Sequence, residues 1–229
     1  MKVGIETICY REERFIERCI NQFKGFPVHH LVLVSDTPWH GEKEAMDKTV
    51  DIAESLGAEV VVSDWLSEPE QRNFGLQQLK DCDWVLVVDA DEFYSKEDID
   101  KWLKFLEHAP YDAYGIGRIK TYWKDENHII DPEESGGLIV AVRPKAVQFT
   151  DKRCITGDWD FLPEDIVMNH YSYVRTDEEM KRKLASFEHA DEIMDGWYEE
   201  KWKGWDKDNN LEDLHPVNPK SFRGTKYVG

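Results

Sequence analysis

Residues 83–88, Asp-Trp-Val-Leu-Val-Val, carry no polar side chain after Asp83. A strand without in-and-out alternation is covered on both faces. That condition belongs to a mostly parallel sheet flanked by helices, not to a half-solvated antiparallel one. The run ends in Asp89-Ala90-Asp91-Glu92, so three carboxylates stand where a strand gives way to a loop. The preceding chain supplies the partners. Strands are expected at 3–9, 30–34 and 58–62, and helices at 11–23, 43–56 and 68–80, with Gly57 as a helix C-terminal stop. Ser67 and Glu70 have the spacing of a capping box. Ser95 and Asp98 open a further helix at 96–107, with Ile99, Trp102, Leu103 and Leu106 on one face.

Strict alternation of strand and helix over residues 1–110 predicts an α/β fold with a doubly wound, mostly parallel central sheet. The second half changes character. Strands are expected at 113–121, 137–143, 146–149 and 166–173, a mixed β region with Gly and Pro punctuation. Thr176 and Glu179 then start a charged helix reaching about residue 190, followed by a tail rich in Trp and Tyr. No repeat or linker divides the 229 residues, so one domain is expected.

Charge narrows the function. Lys and Arg number 29 against 47 Asp and Glu, a net charge of −18. A nucleic-acid backbone needs a basic surface, so nucleic-acid binding is disfavoured. Four cysteines, at 9, 19, 82 and 154, form no CxxC pair and read as reduced thiols. The opening MKVGIETICY has no secretory pattern, and no window approaches the ~20 apolar residues of a spanning helix. The expected location is cytoplasmic, at most peripheral to a membrane.

In an open α/β sheet, ligands bind beyond the carboxyl ends of the strands, where Asp89, Asp91 and Glu92 lie. Three acids there repel one another, and a hard divalent cation such as Mg²⁺ or Mn²⁺ relieves the repulsion. A solvated acidic turn, or acids favoured by the helix that follows, is the competing reading. Thr7 ends the first strand and Asp36 the second, both at a nucleotide-binding edge; Asp36 is also a natural turn former before Thr37-Pro38. Neither GxGxxG nor GxxxxGK[ST] occurs, so a phosphate ligand points to diphosphate held through a metal.

Three segments carry a resemblance. ETICYREERFIERCINQF (6–23) resembles the opening strand and helix of family 2 glycosyltransferases. EPEQRNFGLQQLKDCDWVLVVDADEF (68–93) is similar to that family's Arg-Asn-x-Gly helix, strand and metal motif. MNHYSYVRTDEEMKRKLASF (168–187) resembles the His-x-Ser-Tyr segment and Lys-rich helix of bacterial members. The match spans most of residues 1–190 and implies the GT-A fold, with 1–110 as nucleotide-sugar-binding half, 111–190 as acceptor-side half and 191–229 as a C-terminal tail with helices.

The resemblance implies a metal-dependent, inverting transfer of sugar from a UDP- or GDP-linked donor to an acceptor hydroxyl on a saccharide, lipid-linked or protein carrier. Under it, Asp91 and His170 ligate Mn²⁺ or Mg²⁺, Asp89 lies near the ribose and the metal, and Thr7 and Asp36 border the nucleoside. Arg72 would face the diphosphate or donor sugar. The acceptor needs a base, and ITGDWDFLPED (155–165) offers Asp158 and Asp160, with Glu164 and Asp165 as solvated acids. Alone, His170 also reads as a structural histidine and Arg72 as a surface residue. Arg175, Lys181, Arg182 and Lys183 form a basic cluster that either reaches a phosphate or solvates a helix whose inner face is Met180, Leu184 and Phe187. Trp197, Tyr198, Trp202 and Trp205 either stack on acceptor sugars, touch lipid, or pack a core. Two other functions share the fold: nucleotidyl transfer, weakened by the lack of a Gly-rich basic loop after the first strand, and a non-catalytic nucleotide- or carbohydrate-binding module.

Overall fold

A computed structural model describes residues 1–187, 189–209 and 211–229. Its first half follows the alternation of the sequence: β1 (Val3–Cys9), α1 (Ile16–Asn21), β2 (Val28–Ser35), α2 (Thr49–Ser55), β3 (Glu59–Ser63), α3 (Glu68–Gln78) and β4 (Trp84–Val87). β3, β2, β1 and β4 lie in that order and run parallel. Every residue of β1 and β4 is buried. Alternate side chains feed two cores: Ile5 and Leu86 join Phe15, Cys19 and Trp102 on one face, while Val85 and Val87 join Leu31, Leu76 and Leu79 on the other.

The chain continues as β5 (Glu92–Phe93), α4 (Lys96–Leu106), β6 (Ala113–Trp123), β7 (His128–Asp131), β8 (Glu134–Val142), β9 (Phe149–Asp151), β10 (Cys154–Ile155), β11 (Asp160–Phe161), β12 (Met168–Tyr173), α5 (Asp177–Ser186) and β13 (Gly224–Tyr227). β4 is the switch from parallel to mixed pairing. Its outer neighbour β8 is antiparallel, and β6, β7 and β13 extend the sheet beyond β8. β12 runs parallel to β6 and antiparallel to the short β5, which sets His170 opposite Glu92.

Three helix starts obey their caps. Ser67 Oγ accepts from the Glu70 N–H, Ser95 Oγ from the Asp98 N–H, and Thr176 with Glu179 forms a reciprocal box. Other boundaries move. The helix expected over 43–56 begins only at Thr49, because Asp47 turns back to accept from Thr49 N–H and Oγ1–H and from the Glu13 N–H. The helix expected over 11–23 shortens to Ile16–Asn21, with Arg11 in the left-handed region at φ 55°. The strand expected at 146–149 lies at Phe149–Asp151, and the helix expected to reach 190 stops at Ser186.

The tail packs a third core instead of presenting its aromatics to solvent. Trp197 and Trp202 are buried with Leu214 and Phe222 against Trp123, Tyr173 and Met180, and a π-helical turn spans Tyr198–Lys203. Fully burying a large apolar side chain contributes about 1.5–3 kcal/mol, so these residues fasten the tail to the sheet. No helix among the described residues is long and apolar enough to cross a membrane.

Candidate active site

The Gln71-Arg72-Asn73-Phe74-Gly75 stretch of α3 organises the carboxyl edge of the sheet. Gln71 donates from Nε2 to the Leu33 carbonyl and accepts from Ser35 Oγ, tying α3 to the end of β2. Asn73 bonds the Phe149 backbone in both directions, at 2.8 and 2.9 Å, and so holds the β9–β10 arm. Gly75 leaves room for the Glu6 carboxyl: a Cβ there would fall 2.7 Å from its carboxyl carbon. Arg72, only 1% exposed, bonds Glu68 at 2.7 Å and both oxygens of Asp89 at 3.0 and 3.2 Å.

Asp89 follows β4, and the turn to Glu92 is closed by the Glu92 N–H on the Asp89 carbonyl and the Asp89 N–H on the Glu92 carboxylate. The β9–β10 arm delivers a second arginine. Arg153 Nη2 lies 3.0 Å from Asp89 Oδ2 and 2.8 Å from Glu92 Oε2. Both Asp89 oxygens are therefore engaged by guanidinium. Burial pushes the Glu92 carboxyl up to about 7, against the pull of Arg153.

Asp91 faces the other way, toward α5. Its Oδ2 accepts from Arg175 Nη2 at 3.0 Å and Lys183 Nζ at 3.1 Å. Its Oδ1 accepts no hydrogen bond among the described residues and lies 3.7 Å from His170 Nε2. Burial alone would raise the Asp91 carboxyl, but Lys183, His170 and Arg175 outweigh it and hold the group well below the usual carboxylate range. Burial lowers the His170 pKa, against the pull of Asp91.

Beneath this surface Glu6 is fully buried with neither oxygen hydrogen-bonded among the described residues, and Arg72 Nη1 stands 3.8 Å away. Burial raises its pKa from 4.5 to about 8, with Arg72 opposing. The folded protein holds this proton between those two values, where the unfolded chain has lost it. The stability tied to Glu6 is complete below the unfolded value and is lost as pH rises through the folded one. Thermal denaturation from about pH 5 to 9 is expected to show a smaller alkaline fall for Glu6→Gln than for the wild type. Matching alkaline falls would remove Glu6 as the cause.

Two contiguous cavities flank the site. The first, about 210 Å³, lies at the ends of β1 and β2 and is lined by Tyr10, Glu12, Ser35, Trp39, Asp89 and Asp91 among others. The second, about 320 Å³, includes Glu92, Arg153, His170, Ser172 and His215. Glu68, Asp89, Lys183, Phe187 and His189 line both.

The sequence expectations divide. Asp89, Asp91 and His170 are brought together. Arg72 lines neither cavity and bonds both oxygens of Asp89. Thr7 is buried and bonded to His30 Nε2 at 2.9 Å. Asp36 pairs with Lys43 outside the cavity lining, although Ser35 and Pro38 line the first cavity. Asp158 and Asp160 are exposed and line neither cavity; Asp160 sits on β11 and accepts from the Phe161 N–H. The basic cluster splits. Arg175 and Lys183 turn inward onto Asp91, while Arg182 pairs with Glu44 and Lys181 lies over the Tyr198 ring. Glu6, Glu12 and Arg153 were not singled out from the sequence. A buried acid in an otherwise apolar β1 was the available signal for Glu6; nothing local marks Arg153.

Among the described residues, no three His, Cys, Asp or Glu side chains converge to hold a metal. Asp91 and His170 lie 3.7 Å apart with groups able to ligate, while both Asp89 oxygens are bonded to arginines. The arrangement fits a hard cation that takes its remaining ligands from phosphate oxygens and water, the usual manner for Mg²⁺.

The family model "Glycosyl transferase family 2" matches residues 5–159. An uncharacterised glycosyltransferase of Rickettsia bellii is 42% identical over 119 residues, covering 52% of this chain and 37% of that protein. One from Rickettsia conorii is 38% identical over 119 residues, covering 52% and 39%. The match thus spans about two fifths of the length of these relatives. Among solved structures, S. aureus TarS superposes with a TM-score of 0.51 at 16% identity, over 83% of this chain and 41% of that one. That likeness establishes the fold, which is of the GT-A type.

Proposed function

The chain belongs to glycosyl transferase family 2, and from that premise we propose that it transfers a sugar from a UDP- or GDP-linked donor to an acceptor hydroxyl, with inversion and with Mn²⁺ or Mg²⁺. The observation that carries this reading is the approach of Asp91 Oδ1 and His170 Nε2 to 3.7 Å, between two adjoining cavities at the carboxyl ends of the strands. The whole chain, 1–229, is taken as one transferase unit, with the nucleoside at the ends of β1 and β2 and the sugar and acceptor on the second-cavity side.

Asp91 and His170 would hold the cation, which when bound draws charge from the leaving diphosphate. The chain's own residues supply the remainder. Arg72 and Arg153 fix Asp89 in one orientation, so its carboxylate stands ready at the nucleotide without reorganising. The acceptor is a saccharide, lipid-linked or protein hydroxyl, and its proton passes to a carboxylate of the 158–160 segment, Asp158 or Asp160. Gly157, at φ 91°, gives that exposed segment its turn. Three buried free thiols, at Cys9, Cys19 and Cys82, suit a reducing, cytoplasmic compartment.

The decisive experiment is a donor screen: thermal shift and hydrolysis across UDP- and GDP-sugars, with and without Mn²⁺. Metal-dependent stabilisation by one donor class is expected; no response to any donor with Mn²⁺ present would refute the reading. Asp158→Asn and Asp160→Asn test the base. At least one is expected to lower transfer by about 10²–10⁴-fold with donor affinity unchanged, and normal turnover by both places the base elsewhere.

A further inference from the structure

The ligand-free protein closes Asp91 with two cations that differ in how firmly they are held. Arg175 is fixed on several sides. It donates to both Glu12 oxygens at 3.1 and 2.8 Å and to the Ser172 carbonyl at 3.1 Å, and it is 4% exposed. Its guanidinium also lies over the Phe15 ring. Among the described residues Lys183 has only Asp91 Oδ2 and, at 2.6 Å, Ser172 Oγ. It is 23% exposed and sits on α5, toward the exposed side of the site. A guanidinium fork in this setting stays in place, whereas an ammonium on a four-carbon stem re-aims at little cost.

Position adds to this. Of the described lysines and arginines lining the two cavities, Lys183 alone lines both. The others are committed: Arg11 and Arg182 to Glu44, Arg153 to Asp89 and Glu92, and Lys152 to Glu192. A diphosphate joining a nucleoside in the first cavity to a sugar in the second must pass Lys183. It must also pass Asp89, Asp91, Glu12 and Glu68, whose charges repel it on a chain of net charge −18.

We propose that Lys183 is an exchangeable counter-charge: it occupies Asp91 in the free protein, and it turns onto the phosphate oxygens when the cation and diphosphate arrive. The inference rests on the nucleotide-sugar reading of the site. Arg175 remains on Asp91 and Glu12 throughout, so the carboxylate keeps its orientation while its second partner changes. Ser172 Oγ, beside the second cavity, is the hinge point against which the ammonium swings. The cation and Lys183 compete for Asp91 but cooperate on the diphosphate, so removing the ammonium has opposite effects on the two ligands.

That opposition gives the test. Inorganic pyrophosphate is the probe, because it carries the chemistry common to all nucleotide diphosphates. Calorimetry measures Mn²⁺ alone and pyrophosphate with Mn²⁺, on wild type, Lys183→Met and Lys183→Arg, all as the full chain. Lys183→Met is expected to bind pyrophosphate about tenfold or more weakly and Mn²⁺ alone as tightly or more tightly. Lys183→Arg is expected to recover most of the pyrophosphate affinity. If wild type and Lys183→Met bind pyrophosphate alike, the exchange is wrong while the nucleotide-sugar reading stands. If Lys183→Met weakens Mn²⁺ as well as pyrophosphate, Lys183 only supports the fold of the site and the proposal fails. If the wild type binds no pyrophosphate with Mn²⁺ present, the nucleotide-sugar reading itself falls.

Discussion

Asp91→Asn is expected to lower sugar transfer by about 10²–10³-fold, the scale seen when one preorganised electrostatic contact to a developing charge is removed. The side chain keeps its shape, so the loss follows from charge. Oδ1 is the atom that faces His170, and an uncharged amide there no longer competes with water for a hard cation. The substitution also reaches the fold. Arg175 and Lys183 lose a buried anion at 3.0 and 3.1 Å, and leaving one partner of a buried pair uncompensated costs about 3–5 kcal/mol. The retained amide oxygen and the Glu12 contacts of Arg175 reduce that figure. The two effects separate by pH. The Asp91 carboxyl is held below the usual range, so its stabilisation is present above the unfolded value and is lost as pH falls through the folded one. Chemical denaturation at about pH 7 and 3, either side of the unfolded value, is expected to show the difference between wild type and Asp91→Asn shrinking on acidification. Loss of Mn²⁺-dependent nucleotide binding should persist wherever the variant is folded. Unchanged Mn²⁺-dependent UDP or GDP affinity in the variant would show that the cation lies elsewhere.

Gly75→Ala is expected to lower stability markedly through the addition of a single methyl. The new methyl meets the Glu6 carboxyl group, which is walled in on β1 at 0% exposure. Overpacking a closed site costs about 1–3 kcal/mol, here toward the upper end because the displaced group is polar and has no other place. For a chain of this length, each kcal/mol shifts the melting temperature by about 2–4 °C, so a fall of roughly 5–10 °C is expected. α3 also carries Arg72, and displacing it loosens Asp89. The pair Gly75→Ala with Glu6→Ala should recover part of the loss, because the methyl then has room. Additive losses in the double variant would show that the strain comes from the helix backbone and not from Glu6.

These two positions show where the sequence is legible. Asp91 could be read because it closes a continuous apolar strand, and the charge of a strand-end motif follows from its own residues. His170 was marked only by the family resemblance; in the structure β12 pairs with β5 and sets it opposite Glu92. Arg72 could be read as part of the helix motif, but its contacts could not. A helix position fixes a face, and α3 buries that face, so the guanidinium serves Asp89 from beneath. The 43–56 segment misled because its composition favours helix while Asp47 offers the backbone a competing turn. β7 and β13 escaped notice because β13, almost a hundred residues further on, exists only through its partner.

What the sequence determined by itself is whatever depends on near neighbours. It set the strand–helix alternation, the two-sided cover over β1 and β4, the caps at Ser67, Ser95 and Thr176, and the acidic end of β4. Only the tertiary structure decided which charges meet. Arg153 reaches Glu92 across 61 positions and Lys183 reaches Asp91 across 92. Local periodicity has no term for an ion pair at that separation. It is the docking of the β9–β10 arm and of α5 onto the sheet edge that turns a row of acids into two differently held carboxylates, Asp89 clamped by arginines and Asp91 left with one oxygen free to face His170.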